Sequence, residues 1–354
     1  MRFWSVAPVA AATLAAIGAS SGPALAEQGI RLSGPHSYAN LAIYFVHGAS
    51  APGPVPLSLQ EAVAKGSVQV IETGRVNELE IENTGSEQVF VQAGDIVKGG
   101  KQDRVLTVSF LLPAKSGRLP IASFCVEQGR WTMRGKEDAS KFSSAGEAMP
   151  SRAALLAMAA PPPAKTGSYQ PAGELPAGAE LAAKQRKVWD SVATTQNKLT
   201  GGLNAPVASP LSGTSLQLSL ENQKLKQARA EYLAALKVKA EADADIVGYV
   251  VAINAQLSSA NLYPSNAMFR KMWDKQLAAA VTEAIGEKAA APPMSPPPTT
   301  AQAGEFLSAA ERGKASERAG AAGTRQEIRD GEAVLYNEAR GGDGKWLHKS
   351  YLAK

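Results

Sequence analysis

Apolar and polar positions change period along this chain, and the changes mark its elements. Residues 41–46 are an uninterrupted apolar run between turn residues, the pattern of a buried strand. Ser58 with Glu61 three positions on predicts a capping box for a short helix. Leu59, Ala62 and Val63 would form its apolar face, and Gly66 would stop it. Residues 68–72 form the next strand. Leu79 and Ile81 then alternate with Glu80 and Glu82, a strand with one wet face. Residues 89–91 follow as a short strand. Residues 105–112 are apolar on both faces and read as one central strand. A turn at 113–117 sends the chain back antiparallel through 120–127. On that return Ser123, Cys125 and Glu127 share one face, and Phe124 and Val126 the other.

Helical spacing takes over in the second half. It appears in Leu181, Val188, Val192 and Leu199, and again in Leu225, Tyr232, Leu233 and Leu236. It is clearest in Phe269, Met272, Trp273, Leu277, Val281 and Ala284, with Ser265 as cap and Gly286 as stop. Between the last two helices, residues 246–253 are short and β-branched and read as a strand. Residues 143–180 are rich in Ala, Pro, Gly and Ser and read as a flexible connector, and 287–303 as a linker or disordered insert. A short helix is expected over 305–318. Residues 333–336 and 346–352 flank a Gly341–Gly344 turn, a closing hairpin. Neither this hairpin nor strand 246–253 has a sheet of its own, so both should join the N-terminal strands.

The predicted class is α+β: an antiparallel β-sandwich or partly open barrel in the N-terminal half, packed with amphipathic helices and a C-terminal β-hairpin. The expected organisation is a leader over 1–26, one α+β domain over 27–286, the insert, and a closing segment over 304–354 that packs on the domain.

The leader comes from the first residues: Arg2, an apolar run over 6–17, and Ala24-Leu25-Ala26 as a small-x-small cleavage site. Together they predict a secretory signal, a mature start at Glu27 and a periplasmic or secreted location. No later segment approaches the apolar length of a membrane helix, so no transmembrane anchor is expected after cleavage. The 354 residues carry a net charge of +5, with Lys and Arg scattered among nearly as many acids. That pattern argues against nucleic-acid binding. One cysteine excludes an internal disulfide, and three scattered histidines make a metal site unpromising. No cofactor motif is read. Cys125 lies in an alternating strand and reads as a small buried hydrophobe rather than a nucleophile.

The candidate chemistry lies in 94–131. Gly99-Gly100 allows a tight turn or close approach of backbone to a ligand, and Gln102, Asp103 and Arg104 follow in a row. Glu127, Arg130 and Trp131 form a second group. A hairpin with its turn at 113–117 brings the two groups level, because both arms advance about 3.3 Å per residue. The six residues read in two ways. They are a ligand-binding surface, with the Trp131 indole as a platform for a sugar or nucleoside ring, or a structural knot of ion pairs. A third reading takes Asp103 and Glu127 as the carboxylate pair of a glycoside hydrolase, which needs them about 5–10 Å apart across an open cleft.

Gly94-Asp95, Gly99-Gly100-Lys101-Gln102-Asp103-Arg104 and Cys125-Val126-Glu127-x-Gly129-Arg130-Trp131 together resemble the signature of a bacterial domain family. That family is named for its association with ADP-ribosylglycohydrolase and rhodanese-phosphatase superfamily proteins. Residues 248–254, Leu262-Tyr263-Pro264 and Phe269-Arg270-Lys271-Met272-Trp273 are similar to its later half, so the resemblance spans about 40–287. It implies a domain type and an ADP-ribose or phosphate context by association, not a reaction. The expected function is therefore non-catalytic binding of a small molecule or cell-envelope partner through the 94–131 surface.

Overall fold

Strand and helix signals in the N-terminal half become β1 (Arg31–Tyr38), β2 (Leu41–His47), β3 (Leu57–Ser58), α1 (Leu59–Ala64), β4 (Val68–Arg75) and β5 (Glu78–Asn83). The chain continues through β6 (Val89–Val91), β7 (Asp95–Gly99), β8 (Arg104–Leu106), β9 (Phe110–Leu112) and β10 (Gly117–Cys125). Then come β11 (Phe142–Ala148), α2 (Arg152–Ala159), α3 (Gly178–Leu203), α4 (Leu216–Leu220) and α5 (Gln223–Leu236). β12 (Ile246–Ile253), β13 (Gln256–Leu262), α6 (Asn266–Glu287) and α7 (Thr300–Glu311) precede the last four strands. These are β14 (Ala315–Ala319), β15 (Arg325–Asp330), β16 (Val334–Arg340) and β17 (Trp346–Ala353). The structure, a computed structural model, describes residues 29–135, 138–159, 178–288 and 295–354. The signal segment and residues 160–177 of the expected connector lie outside the described residues.

The class is α+β with antiparallel sheets and a C-terminal hairpin. An eight-stranded sheet runs β1-β2-β12-β13-β17-β16-β15-β14, joining the first, middle and last strands of the chain. A six-stranded sheet runs β11-β7-β8-β10-β5-β4, and a three-stranded one β3-β6-β9. Among the described residues, only the β3–β6 pairing is parallel. As expected, β12 and the closing hairpin enter the sheet that holds β2.

β2 is apolar throughout because both its faces are covered. Leu41, Ile43 and Phe45 enter one core with α6 residues such as Phe269 and Trp273. Ala42, Tyr44 and Val46 enter another with Ala303, Phe306 and Leu307 of α7. A third core fills the space between the two smaller sheets, around Val70, Leu79, Ile81, Val97 and Phe110. The caps form as read. Ser58 and Glu61 complete a capping box on α1, and the Ser265 side chain accepts from the Met268 N–H on α6.

Four expectations need correction. Residues 105–112 are two strands rather than one, since β8 pairs with β7 and β10 while β9 pairs with β6 in the three-stranded sheet. The described part of 143–180 is not a loose connector. β11 extends the six-stranded sheet, and Ala145, Ala148, Met149, Ala154 and Met158 are buried. Alanines suit that position because α6 packs over β11, so the buried Ala145, Ala148 and Ala154 reflect packing. The helix expected over 305–318 begins five residues earlier, where Thr299 and Gln302 make a second capping box, and 315–319 is strand. Helix α6 is buried nearly all round, including Lys275, Gln276 and Thr282. It runs between the large sheet and the helices α3 and α5, so its solvent face is reduced to a narrow stripe of Ala267, Arg270 and Asp274.

Candidate functional site

The two glycines build the first half of the site. Gly99 and Gly100 have φ of +129° and +55°, and a Cβ on Gly100 would lie 2.2 Å from Cζ of Phe142. The β7–β8 turn is thus pressed under the Phe142 ring, which only glycine permits. Inside it, Asp103 accepts from the Gly99 N–H at 3.0 Å.

The β8–β10 ladder supplies the second half. Cys125 pairs with Arg104, and the Val126 N–H donates to the Asp103 carbonyl at 3.1 Å. Glu127 therefore arrives beside Asp103, where its Oε2 accepts from the Asp103 N–H at 3.3 Å. The Gln102 side chain donates to the Glu127 carbonyl at 2.8 Å. From α3, the Gln185 amide holds both the N–H and the carbonyl of Cys125 at 2.9 Å, fixing the end of β10.

The acids are held by cations. Arg130 Nε lies 2.7 Å from Glu127 Oε2, its Nη1 donates to the carbonyls of Gly100 and Thr132, and its Nη2 to that of Gly99. Arg134 grips Asp103 with two nitrogens at 2.7 and 3.1 Å, and Nη1 stands 3.4 Å from each Glu127 oxygen. The Ser215 hydroxyl donates to Asp103 at 3.0 Å while capping α4. Arg104 donates to the Gln102 carbonyl at 2.9 Å and lies 3.7 Å from Glu72. Three guanidinium groups (Arg104, Arg130, Arg134) thus meet three carboxylates (Glu72, Asp103, Glu127), and the knot is neutral. Asp103, Arg104 and Glu127 are each 0% exposed.

Trp131 closes the outside. Its ring lies 5.6 Å from the Arg104 guanidinium and 5.2 Å from Lys101 Nζ, a cation–π contact on each count. It remains 39% exposed. The exposed large hydrophobics among the described residues are Val76, Trp131, Met133 and Leu211. All sit on segments bonded to this stretch. The Cys125 thiol donates to the Val76 carbonyl, and Thr214, three residues after Leu211, donates to the Gln128 carbonyl at 2.6 Å.

The structure therefore brings together all six residues singled out from the sequence: Gln102, Asp103, Arg104, Glu127, Arg130 and Trp131. Asp95 lies apart, 2.6 Å from Lys275 of α6. Arg134, Ser215, Glu72 and Gln185 were missed. Arg134 carried a weak signal, one basic residue just past a motif, whereas Ser215 and Gln185 reach the knot from distant helices and had none. Burial pushes the Cys125 thiol up to about 11, so it is not a thiolate at neutral pH.

A match to a family model covers residues 29–352, described as the ARG and Rhodanese-Phosphatase-superfamily-associated Protein domain. The chain belongs to the ARPP-1 family. No curated protein and no solved structure matches it. The ARPP-1 match reaches beyond the motif-bearing stretch and takes in the closing strands, as the shared eight-stranded sheet requires. The ARPP-1 description records an association with other families and names no chemistry.

One group could offer a cation three ligand atoms, His47, Asp243 and Asp245, all within 4.8 Å of one another. The ring nitrogens of His47 are already bonded to Ser33 and Asp245, and Arg31 holds the second oxygen of Asp245 at 2.9 Å.

Proposed function

We propose that this chain is an exported, non-catalytic binding domain that engages a ring-bearing ligand or envelope partner through the Trp131 surface. The observation that carries the reading is a contrast within a few ångströms: the carboxylates are sealed at 0% exposure, and the indole above them is open. A glycoside hydrolase needs room for a glycosidic oxygen or a water between its carboxyls. Here a guanidinium nitrogen of Arg134 stands within 3.4 Å of both. A rigid neutral base carrying an exposed indole, with the exposed Met133 two residues on in sequence, suits recognition instead, because the platform loses little entropy on binding.

The mature protein is to be screened by thermal shift against nucleotide sugars, ADP-ribose and cell-wall fragments. Trp131→Ala and Met133→Ser should fold normally and lose the response to any hit. A hit that keeps its affinity in both variants overturns the assignment of the surface. Export is tested by intact mass of protein recovered from the envelope fraction, which should begin at Glu27; a retained Met1 overturns that half of the reading.

A further inference from the structure

A second polar region has no part in the Trp131 surface. A cavity of about 70 Å³ lies between the eight-stranded sheet, α6 and α2. Its sheet wall carries a row of polar side chains, since Tyr249 pairs with Asn261, Asn261 with Ser350, and Ser350 with Asn337. Its helix wall is one face of α6, Gln276, Ala279, Ala280 and Glu283, at helical spacing. Leu155 and Met158 of α2 close the outer side. Gly94 lets α2 come near: its φ is +92° and a Cβ there would lie 3.1 Å from Leu155.

A directed chain of hydrogen bonds runs along this wall. The Ser109 hydroxyl accepts from the Ala93 N–H, which leaves its proton for Nδ1 of His348 at 3.0 Å. His348 Nε2–H then donates to Asn261 Oδ1 at 2.9 Å. Asn261 donates to the Tyr249 hydroxyl at 2.7 Å, and Tyr249 to Gln276 Oε1 at 3.2 Å. The chain ends on the Gln276 amide nitrogen, which is buried and has no hydrogen-bond partner. Bonds aligned in one sense polarise one another, so this terminal donor is a strong one left unmade. The side chains of Asn337 and Ser350 make no hydrogen bond to another described residue and line the same cavity.

The chemistry of the wall selects an occupant. Tyr249, Asn261, Gln276, Asn337 and Ser350 are uncharged, and burial holds His348 down at about 3, so the ring stays neutral. The charged liners are Arg152 and Glu283, whose carboxylate accepts from the Arg152 backbone N–H at 3.0 Å. An anion or a cation at the inner end would therefore be desolvated without a counter-charge. A carbonyl compound would satisfy Gln276 but leave the acceptor oxygen of Asn337 bare. Hydroxyl groups donate and accept at once and match all three side chains. A water needs roughly 10–15 Å³ by the same measure, so the space of about 70 Å³ fits a compound of about five to seven heavy atoms. We propose that this cavity is a binding site for a small uncharged polyol, held by Gln276, Asn337 and Ser350.

Saturation-transfer NMR on the mature chain tests it with glycerol and propane-1,2-diol as probes, and propionate and butylamine as charged controls. Transfer is expected to the two polyols and not to the charged compounds. Gln276→Met and Ser350→Ala should each weaken it, by about tenfold for one lost hydrogen bond to the ligand. Trp131→Ala should leave it unchanged, which separates this site from the exposed indole surface. If Gln276→Met does not fold, Ser350→Ala carries the test, since it removes one hydroxyl from a part-buried strand position. Transfer to propionate or butylamine equal to that for glycerol overturns the proposal. So does polyol binding that Ser350→Ala and Asn337→Ala both leave intact, or a crystal grown with glycerol whose cavity holds ordered water only.

Discussion

Two buried polar regions of this protein are built on opposite terms. In the knot around Asp103, charged side chains are sealed from solvent and matched three against three. Along the cavity wall the side chains are mostly neutral, and hydrogen-bonding capacity is left over at Gln276. Burial of charge is so costly that a knot of ions is tolerated only when its charges are paired, and even here Nε and Nη2 of Arg104 are left without a hydrogen-bond partner. A neutral amide left unmade costs far less, so it can stay open for a ligand. Cancellation of charge therefore marks the knot as a scaffold, and a neutral wall that ends on an unpartnered amide beside open space marks the cavity as a receptor.

The sharpest way to break this contrast is Arg134→Met. It strands two buried carboxylates on one fewer cation and should destabilise by roughly 3–5 kcal/mol. Urea unfolding reads the loss, and an unchanged midpoint would remove the scaffold role from the knot. Next is Gly100→Ala, where the new methyl meets the Phe142 ring at a left-handed backbone position. It should cost about 2 kcal/mol, with part recovered by Phe142→Leu in the same chain.

A third prediction concerns the cavity and its pH dependence. Burial, the dominant cause, pushes Glu283 up to about 7 from an ordinary 4.5; the neighbouring Arg152 opposes the shift. The folded state therefore holds a proton that the unfolded chain releases between those values. Its contribution to stability is full below pH 4.5 and is lost as pH rises through 7, on the order of 1–3 kcal/mol. Thermal melts at pH 5 and pH 8 should show this fall, and Glu283→Gln should flatten it. A slope that survives in Glu283→Gln assigns the titration to another group. His348 acts in the opposite sense: its neutral form stabilises above pH 6.5, and that contribution is lost as pH falls towards 3.

The smallest effect is expected at Trp131→Ala. The ring is partly exposed and rests on groups already bonded to one another, so the cost should stay within about 1 kcal/mol. A loss as large as that for Arg134→Met would make the indole part of the scaffold and erase the distinction between base and platform.

Much of this was legible along the chain. Local signals are fixed by neighbours within a few residues, and the capping boxes at Ser58, the cap at Ser265 and the strand over 246–253 all appear where expected. The meeting of Asp103 with Glu127 occurs as expected, but through the β8–β10 ladder rather than a continuous hairpin, since β9 and the first part of β10 pair with β6 and β5 instead of with each other. The break of 105–112 into β8 and β9 was not legible. Both halves are apolar, and the reason for the break is a change of partner strand, which depends on β6 and β10 rather than on the residues themselves. The packing of 142–159 was hidden for a related reason: alanines read as loose until a helix is known to lie on them.

The sequence by itself determined the α+β class, which rests on periods and caps, and its motifs carried the family resemblance and singled out the six residues that gather at the end of β10. Only the tertiary structure decided what those residues are for one another. Arg134, Ser215 and Gln185 reach the knot from a loop and two helices that no local pattern links to it, and they turn an open-looking cluster of charges into a closed one. The same holds for the cavity. Its polar row spans strands about a hundred residues apart in sequence, and only the sheet order sets Asn261, Ser350 and Asn337 side by side. Hydrogen bonds and ion pairs act over a few ångströms in space, so distance along the chain carries no record of them.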